Sequence, residues 1–342
     1  MSDSSTTVPT TQTPPERAEI EPMDPQLRTI QPGGGVIIQL EQAWGKLRRV
    51  YLRTFRKGYV SRMESLRKGE TNPCPHPVLD PRDLKYYQNQ PGYHWDRTDD
   101  PFTWRDRIPF ARVGLAELLV FSLIFFGLAG GLAWWITATS LTTLEQVVGW
   151  LLVATFTVIG GLIVWFFRDP DRKVPQDPGL VVSPADGLVV AIDEIPHDDY
   201  IGGPAIMVGI FLSIFNVHMN RSPVDANVIA LRYRKGKYLN ALRPESAREN
   251  EQLAVRLEEK AAPHRRMIVR QITGAIARRI VCWLKPGDEL GRGERFGMIK
   301  LGSRTELVIP ADSNLTIRTK IGEKVKAGRS ILAEYGDVSG TE

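Results

Sequence analysis

The chain has 342 residues and a formal charge of +5, long enough for one well-buried domain with extra segments or for two small domains. Its two cysteines, Cys74 and Cys282, lie far apart, which excludes a disulfide framework and a Cys-x-x-Cys metal site and fits a reduced, cytosol-facing catalytic part. A pI near 9.2 suits nucleic acid, an anionic membrane surface or nothing specific, so the placement of the charges has to decide.

Residues 1–35 are rich in Ser, Thr, Pro, Gly and Gln. They offer almost no contiguous apolar surface to offset the entropy of ordering, so disorder is expected there. No basic region followed by an apolar stretch marks a signal peptide. Residues 36–106 form a second unit, a basic amphipathic helix followed by an irregular linker. In residues 46–68, Leu47, Tyr51, Phe55, Tyr59, Met63 and Leu66 recur at helical steps among nine Lys and Arg residues such as Arg48, Arg53 and Arg62. Such a helix either lies on an anionic leaflet, each basic side chain contributing about 1 kcal/mol, or packs on the rest of the protein with a solvated charged face. Residues 72–106 carry many Pro, Tyr, Trp and Asp without a period.

Two apolar runs follow, residues 113–138 and 147–167, within a unit spanning 107–168. Each is long enough to cross a hydrocarbon core of about 30 Å as a helix. The connection at 139–146 has no Lys or Arg, whereas Arg105, Arg107 and Arg112 precede the first run and Arg168, Arg172 and Lys173 follow the second. The positive-inside rule puts both ends of this hairpin in the cytoplasm and predicts a cell (inner) membrane protein. Trp134, Trp135, Trp150 and Trp165 near the ends suit the interface, and Gly127, Gly130, Gly131, Gly160 and Gly161 would let the helices approach closely. A buried helical hairpin in a soluble core is the alternative.

From residue 169 to 342 the character changes to short β-branched segments separated by Gly, Pro and Asp. Residues 188–192, 205–210, 227–233, 267–272, 279–284, 305–309 and 314–319 read as strands, and 245–259 as a helix. Residues 321–333 match the turn-and-strand pattern of lipoyl-type barrel-sandwich folds. The expected fold class is mainly β (α+β), with barrel-sandwich-like antiparallel sheets behind a two-helix transmembrane hairpin.

Four segments carry residue types suited to chemistry: Ser183-Pro184-Ala185-Asp186-Gly187, Phe215-Asn216-Val217-His218-Met219-Asn220, Phe296-Gly297-Met298-Ile299-Lys300, and directly after it Leu301-Gly302-Ser303. Taken singly, each has a plain structural reading. A Gly-Ser step or an Asp before Gly is a turn former, and a lone His beside apolar residues is a structural histidine. His76, His94, His197 and His264 lie in linker, turn or loop contexts and have no comparable setting.

Together the four segments resemble the phosphatidylserine decarboxylases of the shorter, membrane-anchored type. Gly236-Lys237-Tyr238-Leu239-Asn240-Ala241, Asn250-Glu251 and residues 272–280 extend the match; Leu301 stands where the shorter members often have Phe, and Arg304-Thr305 follows Ser303 in place of the threonine typical of the longer type. The resemblance implies a carbonyl electron sink, since ordinary side chains cannot take up the electrons released when carbon dioxide leaves an amino acid. It implies that Ser303 attacks the Gly302 carbonyl, so that the chain is cut between 302 and 303 into a β chain (1–302) and an α chain (303–342). Ser303 would become a pyruvoyl group, the covalent cofactor, which forms a Schiff base with the substrate amine. It further implies that Asp186, His218 and Ser303 are the self-processing triad, with His218 also moving protons during turnover. Arg278 and Arg279 are candidates for the substrate phosphate or for a solvated face. Implied partners are a phospholipid membrane, phosphatidylserine and the chain's own second fragment, with further oligomers open, no nucleic acid and no metal.

Two other readings stay open: a non-catalytic membrane adaptor carrying a barrel-sandwich module, and the same chemistry on another serine-containing lipid such as archaetidylserine.

Overall fold

The computed structural model describes residues 17–32, 36–65, 86–90, 102–275, 279–300 and 302–336. Helices α1 (Val36–Phe55) and α2 (Lys57–Ser65) realise the basic amphipathic segment. One side of α1 turns Ile38 and Leu52 inward, while Leu40, Trp44, Leu47, Tyr51 and Phe55 form an exposed stripe at helical spacing.

Helices α3 (Leu115–Ala138) and α4 (Thr143–Phe166) make an antiparallel hairpin, each about 36 Å long at 1.5 Å per residue. Both are long and apolar enough to cross a membrane, and most of their large apolar side chains are exposed. Thr142 starts α4 with a reciprocal capping box to Glu145. The base of the hairpin is closed by Ala111 N–H donating to Phe167 O at 2.8 Å and Asp169 N–H to Pro109 O at 2.9 Å. The glycines that bring the helices together differ from most of those expected. A Cβ on Gly160 would meet Phe126 at 2.9 Å, and one on Gly149 would meet Ile136 at 2.6 Å. Gly127, Gly130, Gly131 and Gly161 face open space, because their helical phase turns them away from the partner helix.

The remaining elements are β1 (Leu180–Val182), β2 (Gly187–Asp198), β3 (Gly203–Leu212), β4 (Met219–Arg221), β5 (Ala226–Arg234), the one-turn α5 (Ser246–Glu249), β6 (Gln252–Glu259), β7 (Arg266–Ile272), β8 (Arg279–Cys282), β9 (Glu289–Leu290), β10 (Arg295–Lys300), β11 (Ser303–Pro310), β12 (Leu315–Ile317), β13 (Lys324–Val325) and β14 (Ile331–Tyr335). They form a mainly antiparallel β architecture. A curled eight-stranded sheet in the order β13-β2-β3-β11-β7-β6-β5-β9 is flanked by three-stranded sheets β1-β14-β12 and β4-β10-β8. Its concave core holds Val189, Ile210, Leu231, Leu253, Leu257, Leu307 and Ile309, all essentially inaccessible.

Two expectations are corrected. Residues 252–259 are a strand inside the sheet, paired with β5 and β7, and only Ser246–Glu249 are helical. Leu253, Val255 and Leu257 alternate with more polar residues and bury one face, so pairing on both edges overrides the helical propensity of the Ala, Leu and Glu residues. Residues 17–32, expected to be disordered, pack on the β-rich part. Glu21 N–H donates to Ile229 O at 3.0 Å, Asp24 accepts from Tyr233 N–H at 2.8 Å, and Ile30 O accepts from Cys282 N–H at 2.9 Å. Leu27 and Ile30 are buried, and anchors of this kind contribute about 1.5–3 kcal/mol each, which offsets the ordering of a short polar segment. Residues 1–16, Cys74, His76, His94, Arg278 and Leu301 lie outside the described residues.

Candidate active site

Ser303 opens β11, the strand between β3 and β7, with its backbone paired to Leu212 of β3. The period of two puts Ser303 and Thr305 on the face that carries Leu307 and Ile309 into the core. Arg304 and Glu306 point the other way. There Glu306 binds Arg304 at 2.8 Å and Arg270 at 3.0 Å. Ser303 is wholly buried, and its Oγ has no hydrogen-bond partner. A buried hydroxyl left unpaired costs on the order of 1–3 kcal/mol, which makes this position conspicuous.

Gly302 carries φ +64°, in the left-handed region, where an L side chain is strained by roughly 1–2 kcal/mol. A Cβ there would meet nothing within 4 Å, so backbone conformation rather than crowding calls for glycine. Crowding applies at Gly274 instead: a Cβ on it would lie 2.0 Å from the Gly302 carbonyl oxygen. The loop after β7 thus packs backbone to backbone against the bond that precedes Ser303.

His218 lies just before β4 and is wholly buried, its ring 4.4 Å from that of Phe166. Its carbonyl accepts from Ile299 N–H on β10 at 3.3 Å. Neither ring nitrogen has a hydrogen-bond partner at good geometry. Burial pushes its pKa down to about 4; the Asn216 backbone partly opposes this and the Arg168 charge adds to it. The imidazole is therefore neutral at pH 7.

Asp186, in the turn that enters β2, is nearly buried. Its carboxylate accepts from Arg172 at 2.8 Å and from Ala327 N–H at 2.8 Å. Burial raises its pKa, against Arg172, the Ala327 N–H and Arg168. The three segments are tied together by Asn220, whose amide donates to Pro184 O at 3.3 Å and Thr305 Oγ1 at 3.1 Å and accepts from Gln271 at 2.9 Å. The direct contacts expected within a triad are absent. Asp186, His218 and Ser303 form no hydrogen bonds with one another: Arg172 and Ala327 take up the carboxylate, and the imidazole packs at a tilt of 42° against the Phe166 ring.

Arg279 is half-buried on β8 opposite Lys300, three residues before Ser303. His197 is exposed beside Asp199. Cys282 is buried, which pushes its thiol up to about 12 and leaves it inert. Sequence reasoning read Arg168 and Arg172 only for membrane orientation, and quoted Asn220 and Gly274 without a role. Gln271 carried no signal at all.

These features define a class of protein: a β-rich domain that sets a Gly-Ser step inside a folded sheet and a buried neutral imidazole just before strand β4, behind two long apolar helices. A family model described as phosphatidylserine decarboxylase matches residues 159–333. A phosphatidylserine decarboxylase proenzyme of Rhodopirellula baltica is 52% identical over 252 residues, covering 74% of this chain and 99% of its own length. Proteins of the same name from Symbiobacterium thermophilum and Syntrophus aciditrophicus are 42% and 38% identical, covering 56% and 69% of this chain and 88% and 99% of their own. The chain belongs to the phosphatidylserine decarboxylase family.

Proposed function

We propose that this protein decarboxylates phosphatidylserine to phosphatidylethanolamine with a pyruvoyl group made from its own Ser303. The observation that carries the reading is the buried, unpartnered Ser303 Oγ directly after a left-handed Gly302, in a site that also holds a neutral, unpartnered His218. Ser303 and Gly302 fit a self-made carbonyl because the hydroxyl has no competing partner and the chain around it is fixed on both strand edges.

In the processing step His218 takes the Oγ proton as Ser303 attacks the Gly302 carbonyl carbon. The C–N bond breaks, an ester forms, and the proton passes to the freed amine. Removal of the α-proton at 303 then expels the Gly302 carboxylate and leaves dehydroalanine, which takes up water and releases ammonia to give the pyruvoyl. Asp186 is assigned the carboxylate that balances the imidazolium as it forms. During turnover the pyruvoyl carbonyl supplies the electron sink for the pair left when carbon dioxide departs. His218 holds the proton for return to carbon, and Phe166 keeps water from the imidazole.

The hairpin is read as transmembrane. The exposed apolar surface of α3 and α4 supports this, as do the Arg and Lys residues confined to its base, which orient the β-rich part (169–342) to the cytoplasmic face of the inner membrane. The intact mass of purified protein tests the reading. Two fragments meeting at Gly302/Ser303, the smaller with a blocked N-terminus, are expected, with Ser303→Ala uncut. A single full-length species from an active preparation would overturn it.

A further inference from the structure

The loop at residues 213–217 joins Leu212, the pairing partner of Ser303, to His218. Its tip presents Ile214 and Phe215 to solvent, 42% and 57% exposed. The loop is nonetheless tied down: the Asn216 side chain accepts from Ser213 N–H at 2.8 Å and Ser213 Oγ at 2.7 Å. The Phe215 carbonyl accepts from Trp165 Nε1 at 3.2 Å and from Arg168 Nη2 at 2.8 Å. One loop thus connects the membrane-side end of the domain to the site, and it is fastened to the end of α4 by a half-exposed Trp.

Arg168 differs from its neighbours in one respect. Arg172 pairs with Asp186, and Arg221 and Arg295 pair with Asp169. Arg168 lies 4.0 Å over the Trp165 ring and donates only to the Trp165 and Phe215 carbonyls. No carboxylate among the described residues is at ion-pair distance from it. Its charge nevertheless acts on both His218 and Asp186, so it sits beside the site. A guanidinium with no carboxylate at ion-pair distance among the described residues, stacked on an interfacial Trp and next to two exposed apolar side chains, has the chemistry to bind a phosphodiester at a bilayer surface.

We propose that Trp165, Arg168, Ile214 and Phe215 form a lip that takes a glycerophospholipid from the bilayer, with Ile214 and Phe215 dipping into the interface and Arg168 on the phosphodiester. The occupant is a bilayer lipid because the loop is continuous with the end of the proposed transmembrane hairpin through the Trp165 bond. The proposal rests on the reading of the chain as a membrane-spanning lipid decarboxylase. It sets the substrate's direction of entry, with the phosphate at the base of α4 and the serine moiety inward toward His218 and residue 303.

The test uses full-length protein, reconstituted in phosphatidylcholine vesicles containing phosphatidylserine and, in parallel, supplied in detergent with monomeric dibutanoyl-phosphatidylserine. Rates are normalised to the cleaved fraction by mass. For Ile214→Ser combined with Phe215→Ser, the ratio of vesicle to short-chain turnover is expected to fall about tenfold, and Phe215→Trp alone should keep the wild-type ratio. Arg168→Gln should raise KM for both substrates about tenfold, with Arg168→Lys partly restoring it and Arg279→Gln having the smaller effect. A wild-type ratio in the double variant sinks the lip, as does a double variant that is not cleaved, since the loop would then serve processing. A larger KM effect for Arg279→Gln removes Arg168 from the phosphate. A wild-type protein that neither cleaves nor decarboxylates refutes the functional reading itself.

Discussion

Gly274 stands so close to Gly302 that a methyl group on it would lie 2.0 Å from the carbonyl oxygen of the bond to Ser303. This is backbone against backbone, so no flexible side chain can move aside to relieve it. The contact constrains where the carbonyl points, which is the geometry that the proposed attack by Ser303 needs. Gly274→Ala is therefore expected to displace the carbonyl and slow self-cleavage on the order of 100-fold, the effect of a misplacement near 1 Å. The appearance of the 303–342 fragment over time measures it. A urea unfolding curve close to wild type would show that the loss lies in the step and not in the fold, and normal cleavage in the variant would remove Gly274 from any positioning role.

His218 has a folded pKa near 4 against an ordinary value of 6.5. Processing that needs the neutral imidazole should accordingly be flat from pH 8 to about 5 and fall as the pH approaches 4. The same shift affects stability. The unfolded chain takes up the proton first, so the contribution of the neutral histidine is present above pH 6.5 and is lost as the pH falls toward 4, about 3 kcal/mol in all. Asp186, with its carboxyl raised by burial, acts in the opposite sense. Comparing Ser303→Ala with Ser303→Ala/His218→Asn in urea between pH 7 and 4 isolates the histidine. A processing rate that instead falls through pH 6.5 would mean that the imidazole titrates as if exposed.

Much of the fold was legible because it rests on local rules. Strands such as 205–210 and 267–272 alternate or run apolar between turn residues, and the hairpin is set by two uninterrupted apolar runs. Residues 252–259 were misread because Leu253, Ala254, Glu258 and Glu259 favour a helix locally, and only the edges of β5 and β7 make them a strand. The order seen at 17–32 depends on Leu27, Ile30 and Asp24 finding partners some two hundred residues away, which composition does not register. The Gly302-Ser303 step, Asp186 and His218 stood out through their motifs. Arg172, Gln271 and Gly274 did not, because their importance lies in what they touch across the sheet.

The ion pair between Arg172 and Asp186 is nearly buried, with the two side chains 10% and 9% exposed. Asp186→Ala is expected to destabilise the protein by about 3–5 kcal/mol, since it leaves a guanidinium unpaired in a low-dielectric site, and to stay largely uncut. Asp186→Ala combined with Arg172→Met removes both charges and should recover most of the stability, read by thermal unfolding. Cleavage separates the two roles of Asp186. If the double variant folds like wild type but remains uncut, the carboxylate acts in processing; if cleavage returns with stability, its role is structural and it leaves the triad.

If the chain is cut between Gly302 and Ser303 as proposed, the two fragments should stay together. Residues 303–342 supply β11, which pairs with β3 along its whole length and with β7 along most of it, and also β12, β13 and β14, which pair with each other or with β1 and β2. Leu307, Ile309, Leu332 and Ala333 are wholly buried. Removing this piece would open the centre of the curled sheet and expose two long strand edges, whereas forty residues cannot bury a core alone. A denaturing gel is expected to show two species, and native mass spectrometry in detergent one complex of 1–302 with 303–342. Release should need denaturant and coincide with loss of the β-sheet circular dichroism signal. Dissociation in native buffer would mean that cleavage loosens the sheet around residue 303, and the folded precursor would then no longer describe the geometry of the mature site.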